Sequence, residues 1–222
     1  MDLTSVDQFR RTFLRLVGGR PEDHALTAYG EDENEVVDQY LTRGLRAAQR
    51  WMLRNGYVGW RTKAALTFTA QPDGSKTAPL PADFLRAFGD EFRSALVDSQ
   101  GKHWGRQVTA YEDHWQGPYY VVEGGVVRLA RGSNLPSGLY LDYHYRHPAF
   151  GDDVVIDFPL EARPLIPAEA ANLAKDEAWF PRDSAQPVEI ALMRARDGAR
   201  GIARLTKQPR VMRNRRRAGN HW

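Results

Sequence analysis

The spacing of apolar residues changes twice along this chain, and that change constrains the fold more than any other feature. In "TSVDQFRRTFLRLV", residues 4–17, Val6, Phe9, Phe13 and Leu16 recur at helical intervals, and Gly18 and Gly19 then end the helix. Residues 32–55 make the strongest helical pattern. Val37, Leu41, Leu45, Ala48 and Met52 form one apolar stripe, Asp32 and Glu35 have the spacing of a capping box, and Gly56 sits where a left-handed cap belongs.

From residue 58 the period drops towards two. "RTKAALTFTA" (61–70) alternates through Ala64, Leu66 and Phe68, and "QPDGSK" is turn chemistry. "ALVDSQGKHWGRQV" reads as a hairpin about Gln100-Gly101, and "PYYVVEGGVVRLARG" as one turned tightly at Glu123-Gly124-Gly125. "GLYLDYHYRHP" is expected to add a third edge to the same sheet, and "TAYEDHWQG" (109–117) a helical turn or two. Helix returns in "PLIPAEAANLAKDEAWF", with Leu173, Ala174 and Trp179 on its apolar side. Residues 187–205 follow, with Ile190, Met193, Gly201 and Leu205 on one face and a bend or break expected at Gly198 and Gly201.

Helices, then strands, then helices mean an α+β fold and not a doubly wound sheet. The simplest arrangement is a helical bundle from 1–57 and 161–207, with a small antiparallel β sandwich or barrel inserted over 58–160. The basic segment 208–222 extends from it.

The chain has no cysteine, which excludes disulfides and thiolate chemistry. No run of eighteen apolar residues occurs, and "MDLTSVDQF" lacks a basic segment followed by an apolar one, so no membrane span or secretory signal is expected and synthesis in the cytoplasm fits best. His144 and His147 could join Asp113-His114 or Asp152-Asp153 around a metal. Strand alternation turns an H-x-x-H pair to opposite faces, so a polar sheet surface is the better reading and no metal or cofactor is expected. Asp23-His24 are adjacent and cannot orient one another as a triad requires, and no nucleophile elbow or phosphate-binding glycine loop is present. The chain does not read as an enzyme. Trp51, Trp60, Trp104, Trp115, Tyr119 and Tyr120 could stack on single-stranded bases, although aromatics among valines more often make sheet core or subunit interface.

"LPADFLRAF" at 80–88, followed by "GPYYVVEGGVVRLARGSNLPSGLYLDYHYRHPAF" at 117–150, resembles the head-tail adaptor (connector, or tail-tubular-like) proteins of tailed bacteriophages. Leu80, Pro81, Asp83, Phe84 and Leu85 match that family's first element. Gly117, Pro118, Tyr120, Gly125, Leu129, Leu141, Tyr143, Tyr145, Arg146 and Pro148 match the later strands. The loop "LARGSNLPSG" departs from the family's proline-rich turn. The resemblance implies a virion neck protein, assembled in the host cytoplasm as a ring of commonly twelve copies. Such a ring docks beneath the portal, receives the tail or nozzle, and lets packaged double-stranded DNA pass during retention and ejection. It implies no catalysis and no membrane.

Charge is distributed unevenly. No acid follows Asp197, while eight cations do, so the total of +3 leaves −5 for residues 1–197. Around a twelve-fold ring that is about −60, which would keep DNA mobile if it lined the bore. The tail could be a DNA arm, a solvated segment, or a hook. Arginine and tryptophan are typical interface anchors, so Arg210, Arg213, Arg215, Arg216, Arg217, His221 and Trp222 are the expected contacts to the portal or a neighbouring copy. A DNA-binding protein using the same arm is the alternative, but no helix carries the pattern of a recognition helix.

Overall fold

The computed structural model describes residues 3–18, 33–88, 94–109, 118–130, 133–136, 138–151, 154–175 and 185–206. Helix α1 (Val6–Val17) starts from Ser5, whose hydroxyl caps Gln8 N while the Gln8 side chain returns to Ser5 N. It stops at Gly18, which is left-handed at φ 81°. Phe9, Phe13 and Val17 form its buried stripe. Helix α2 (Glu33–Arg54) buries the expected Val37, Leu41, Leu45, Ala48 and Met52. At its end Gly56 N bonds Leu53 O and Tyr57 N bonds Met52 O, both at 3.1 Å, around a Gly56 φ of 96°. This is a Schellman stop. The capping-box residue Asp32 lies outside the described residues.

The expected strand 61–70 is two strands. β1 (Arg61–Leu66) and β2 (Thr69–Ala70) belong to different sheets, so the chain changes sheet at Thr67-Phe68. Two further strands, β3 (Lys76–Pro79) and β4 (Phe84–Ala87), occupy a stretch in which sequence periodicity shows none. The turn between β2 and β3 closes as expected, with Gly74 at φ 82° and the Asp73 carboxylate accepting from Ser75 N at 2.9 Å. β5 (Leu96–Asp98) turns at Gly101 and meets His103, then β6 (Arg106–Gln107) joins the second sheet, parallel to β7. β7 (Tyr119–Glu123) and β8 (Val126–Leu129) form the two-residue hairpin at Gly124-Gly125, both at positive φ.

β9 (Leu139–Tyr145) corrects an expectation. It is not a third edge beside β7 and β8 but the centre of the other sheet, with β1 on one side and β4 and β5 on the other. Its apparent alternation does not mark a wet face, because Leu139, Leu141, Asp142, Tyr143 and His144 are all buried. Asp142 survives there because Arg61 grips it twice, with Nε to Oδ1 at 2.7 Å. The second sheet runs β2-β3-β8-β7-β6, and the two sheets share a core of Leu96, Tyr120, Val127, Leu129, Leu139 and Leu141.

After a single 3₁₀ turn, Leu160–Ala162, come α3 (Leu165–Ala174) and α4 (Ala185–Thr206). α3 is buried on every side from Leu165 to Ala171 and packs against α1, α2 and α4. Its alanines allow close approach. A Cβ on Gly44 of α2 would stand 2.6 Å from the Cβ of Ala170 and from Ile166 O. α4 is continuous from Ala185 to Thr206, so the chain does not break at Gly198 or Gly201. Val188, Leu192, Ala195, Ala199 and Ala203 bury one face, and that packing outweighs the weak propensity of two glycines. Trp179 and most of the segment 109–117 lie outside the described residues. Among the described residues no helix is long and apolar enough to cross a membrane.

Candidate functional site

Arg210, Arg213, Arg215, Arg216, Arg217, His221 and Trp222 lie outside the described residues, which end at Thr206. The helix that leads to them exposes its last turn, where Arg204 and Leu205 are in solvent. Asp23, His24, Asp113, His114, Trp115, Gly117, Asp152 and Asp153 also lie outside.

The two candidate histidines do not share a site. His144, in β9, is 6% exposed and stands edge-on to Phe88, 5.3 Å between ring centroids. His147, past the strand end and 3% exposed, sits among the rings of Trp60, Tyr145 and Phe158. Burial lowers the basicity of both imidazoles, and pushes His147 down to about 4. His144 Nδ1 and His147 Nε2 have no hydrogen-bond partner. Among the described residues no three His, Asp or Glu side chains converge.

The aromatic residues do not form a base-stacking groove. Trp60, Tyr119 and Tyr120 are buried, and Trp51 and Trp104 pack half-buried against different cores. They are sheet and junction core, the alternative that valine-rich hairpins already favoured.

The residues that carry the adaptor resemblance fall mostly on joints between layers. Leu80 N donates to Gly125 O at 2.9 Å, tying the "LPADF" turn to the β7–β8 hairpin. Asp83 accepts the Tyr143 hydroxyl at 2.7 Å, and its carbonyl accepts Arg146 N at 2.6 Å, tying the same turn to β9. Burial, and then the bond to Asp83, raise the Tyr143 phenol to about 12. The Tyr120 hydroxyl of β7 reaches into the other sheet, accepting from Ala95 N at 2.7 Å and from Ser94 Oγ at 3.2 Å. Tyr145 joins strands to helices: its carbonyl accepts Gln49 Nε2 at 2.7 Å, and its hydroxyl donates to Asp157. Trp60 Nε1 donates to Asp157 O at 2.7 Å across the same seam. These side chains hold architecture together, and no nucleophile stands among them beside a free base.

What remains for partners is surface. α4 exposes Ile190, Met193 and Leu205, and Val155 and Leu160 are further exposed apolar residues. α2 exposes Arg43, Arg46, Arg50 and Arg54 along one face. Sequence reasoning passed over this row, although its signal is plain: residues 39–72 contain no acid and include six cations.

The family model described as SU10 adaptor protein matches residues 4–219. No curated protein matches the chain.

Proposed function

We propose that this chain, which belongs to the SU10 adaptor protein family, works as the ring that joins head to tail in a phage particle. A member of that family is a phage structural adaptor and a component of the virion, and it acts through contacts with other head and tail proteins. In the finer reading, copies assemble beneath the portal, commonly twelve, and extend the DNA channel. They present the surface that receives the tail or nozzle. Residues 208–222 act as the fastener, with Trp222 as anchor and the arginines pairing with acids of the portal or the adjacent copy. An extended segment of that length reaches about 50 Å. The single observation that carries the reading is the family match over nearly the whole chain. The way the signature tyrosines are engaged agrees with it, since they are committed to joints between layers.

The test is assembly on purified portal rings, seen by negative-stain imaging. Full-length protein is expected to form rings on portal, a chain lacking 208–222 to lose docking, and Trp222→Ala to weaken it. Undiminished docking by the truncated chain refutes the fastener. A protein that shifts DNA in a gel but never forms rings with portal supports the DNA-binding alternative instead.

A further inference from the structure

Arg43, Arg46, Arg50 and Arg54 recur at intervals of three or four residues, so they share one face of α2, and all four are exposed. The row spans about 16 Å at 1.5 Å per residue. Arg43 stacks on Tyr40, 5.3 Å from the ring centroid, and Arg50 Nε caps Arg46 O at 3.3 Å. No carboxylate among the described residues pairs with Arg46, Arg50 or Arg54.

In the other helices the exposed arginines without an ion pair among the described residues, Arg11, Arg15, Arg194 and Arg204, form no row of this length. Asp7 pairs with Arg10 in α1, and Asp197 with Arg200 in α4. Like charges one turn apart cost a helix a few tenths of a kcal/mol per pair. The helix dipole offsets that for Arg54 in the last turn, but not for Arg43 or Arg46. α2 therefore holds three exposed arginines, Arg46, Arg50 and Arg54, with no carboxylate partner among the described residues.

From this geometry we infer that the arginine row of α2 contacts the phosphate backbone of double-stranded DNA. The inference rests on the adaptor reading, in which DNA runs past each copy. A duplex presents about one negative charge per 1.7 Å of axis, so a row of this length faces many phosphates whatever its register. Guanidinium groups suit phosphate oxygens, which they can bind in pairs. Arginine also anchors protein interfaces, but beside large apolar or aromatic side chains at the interface centre. Among the described residues the large exposed apolar side chains are Val155, Leu160, Ile190, Met193 and Leu205, none of them on α2. Phosphate contact carries no sequence information and permits sliding, so the row can guide DNA without arresting it.

The experiment measures binding of the full chain to a 30-base-pair duplex by fluorescence anisotropy over a series of salt concentrations. Each phosphate contact contributes about 0.9 to the log-log slope, so Arg46→Gln/Arg50→Gln/Arg54→Gln should flatten it by roughly 2.7. The matching triple lysine variant should keep the parental slope. Thermal unfolding of each variant verifies the fold, which exposed glutamines preserve. A chain lacking 208–222 should still show the part of the slope that the glutamines remove. An unchanged slope in the glutamine variant overturns the inference. So does loss of all DNA binding on removing the tail, or a glutamine variant that binds DNA normally yet no longer docks on portal. Ring assembly on portal separates the two proposals: rings with an unchanged slope sink only the arginine row, and a row-dependent slope without rings sinks only the adaptor reading.

Discussion

The helical part and the strand part are held together by different physics. Around α3 the helices close by shape: alanines face a glycine, apolar stripes meet on three sides, and ion pairs join neighbouring helices, Arg10 to Asp38 at 2.6 Å and Arg196 to Glu169 at 2.8 Å. The two sheets are small and held by specific polar pins: Tyr120 to Ala95 crosses between them, Tyr143 to Asp83 ties β9 to the turn before β4, and Arg61 to Asp142 locks β1 to β9. Close packing spreads stability over many small contacts, whereas a pin concentrates it in one buried donor or acceptor.

The largest test of that contrast is Leu41→Ala in α2. Leu41 is 0% exposed, and the cavity should cost about 3–5 kcal/mol in urea unfolding. A cost under about 1 kcal/mol would show a core loose enough to collapse.

The seam between the parts should respond to pH through His147. Its basicity is pushed down in the folded chain by burial among Trp60, Tyr145 and Phe158, with Asp157 opposing. The unfolded chain therefore binds the proton first. Stability is full above the unfolded value near 6.5 and is lost as pH falls towards about 4, by roughly 3 kcal/mol. His144, lowered for the same reason, acts in the same direction. Unfolding free energy measured from pH 7 to 4 should show this slope, and His147→Leu should flatten it; an unchanged slope in the variant would remove His147 from the seam.

A strand pin gives a smaller effect. Tyr120→Phe leaves Ala95 N–H buried without its acceptor, and should cost about 1–3 kcal/mol with the hydrophobic contacts intact.

The smallest effects are the most discriminating, because two identical substitutions should differ in sign. Gly201 of α4 has open space where a Cβ would go, so Gly201→Ala should raise stability by up to about 1 kcal/mol. Gly44→Ala would drive a Cβ into Ile166 O and Ala170, and should destabilise despite its better helix propensity. If both substitutions stabilise, the α2–α3 contact is looser than described.

Much of this was legible in the chain itself. α1, α2 and the Gly124-Gly125 hairpin depend on near neighbours: caps, helical periodicity and a turn that needs positive φ. The position of β9 was not legible. Its partners Arg61–Leu66, Phe84–Ala87 and Leu96–Asp98 are distant in sequence, and one pattern of tyrosines and leucines suits an edge or a centre. His144 and His147 looked like a polar face for the same reason, since period two cannot say whether both faces are covered. The α2 arginines could have been found by asking where acids are missing.

Sequence alone determined the α+β class, the order of elements, the stripe of α2 and the family, because each rests on local periodicity or on a linear order of motifs. Only the tertiary structure decided that the strands form two sheets with β9 at the centre of one, that α3 is buried all round, and that α4 continues unbroken through its glycines. Those outcomes depend on which surfaces meet, and burial between distant segments outweighs the local preferences a sequence displays.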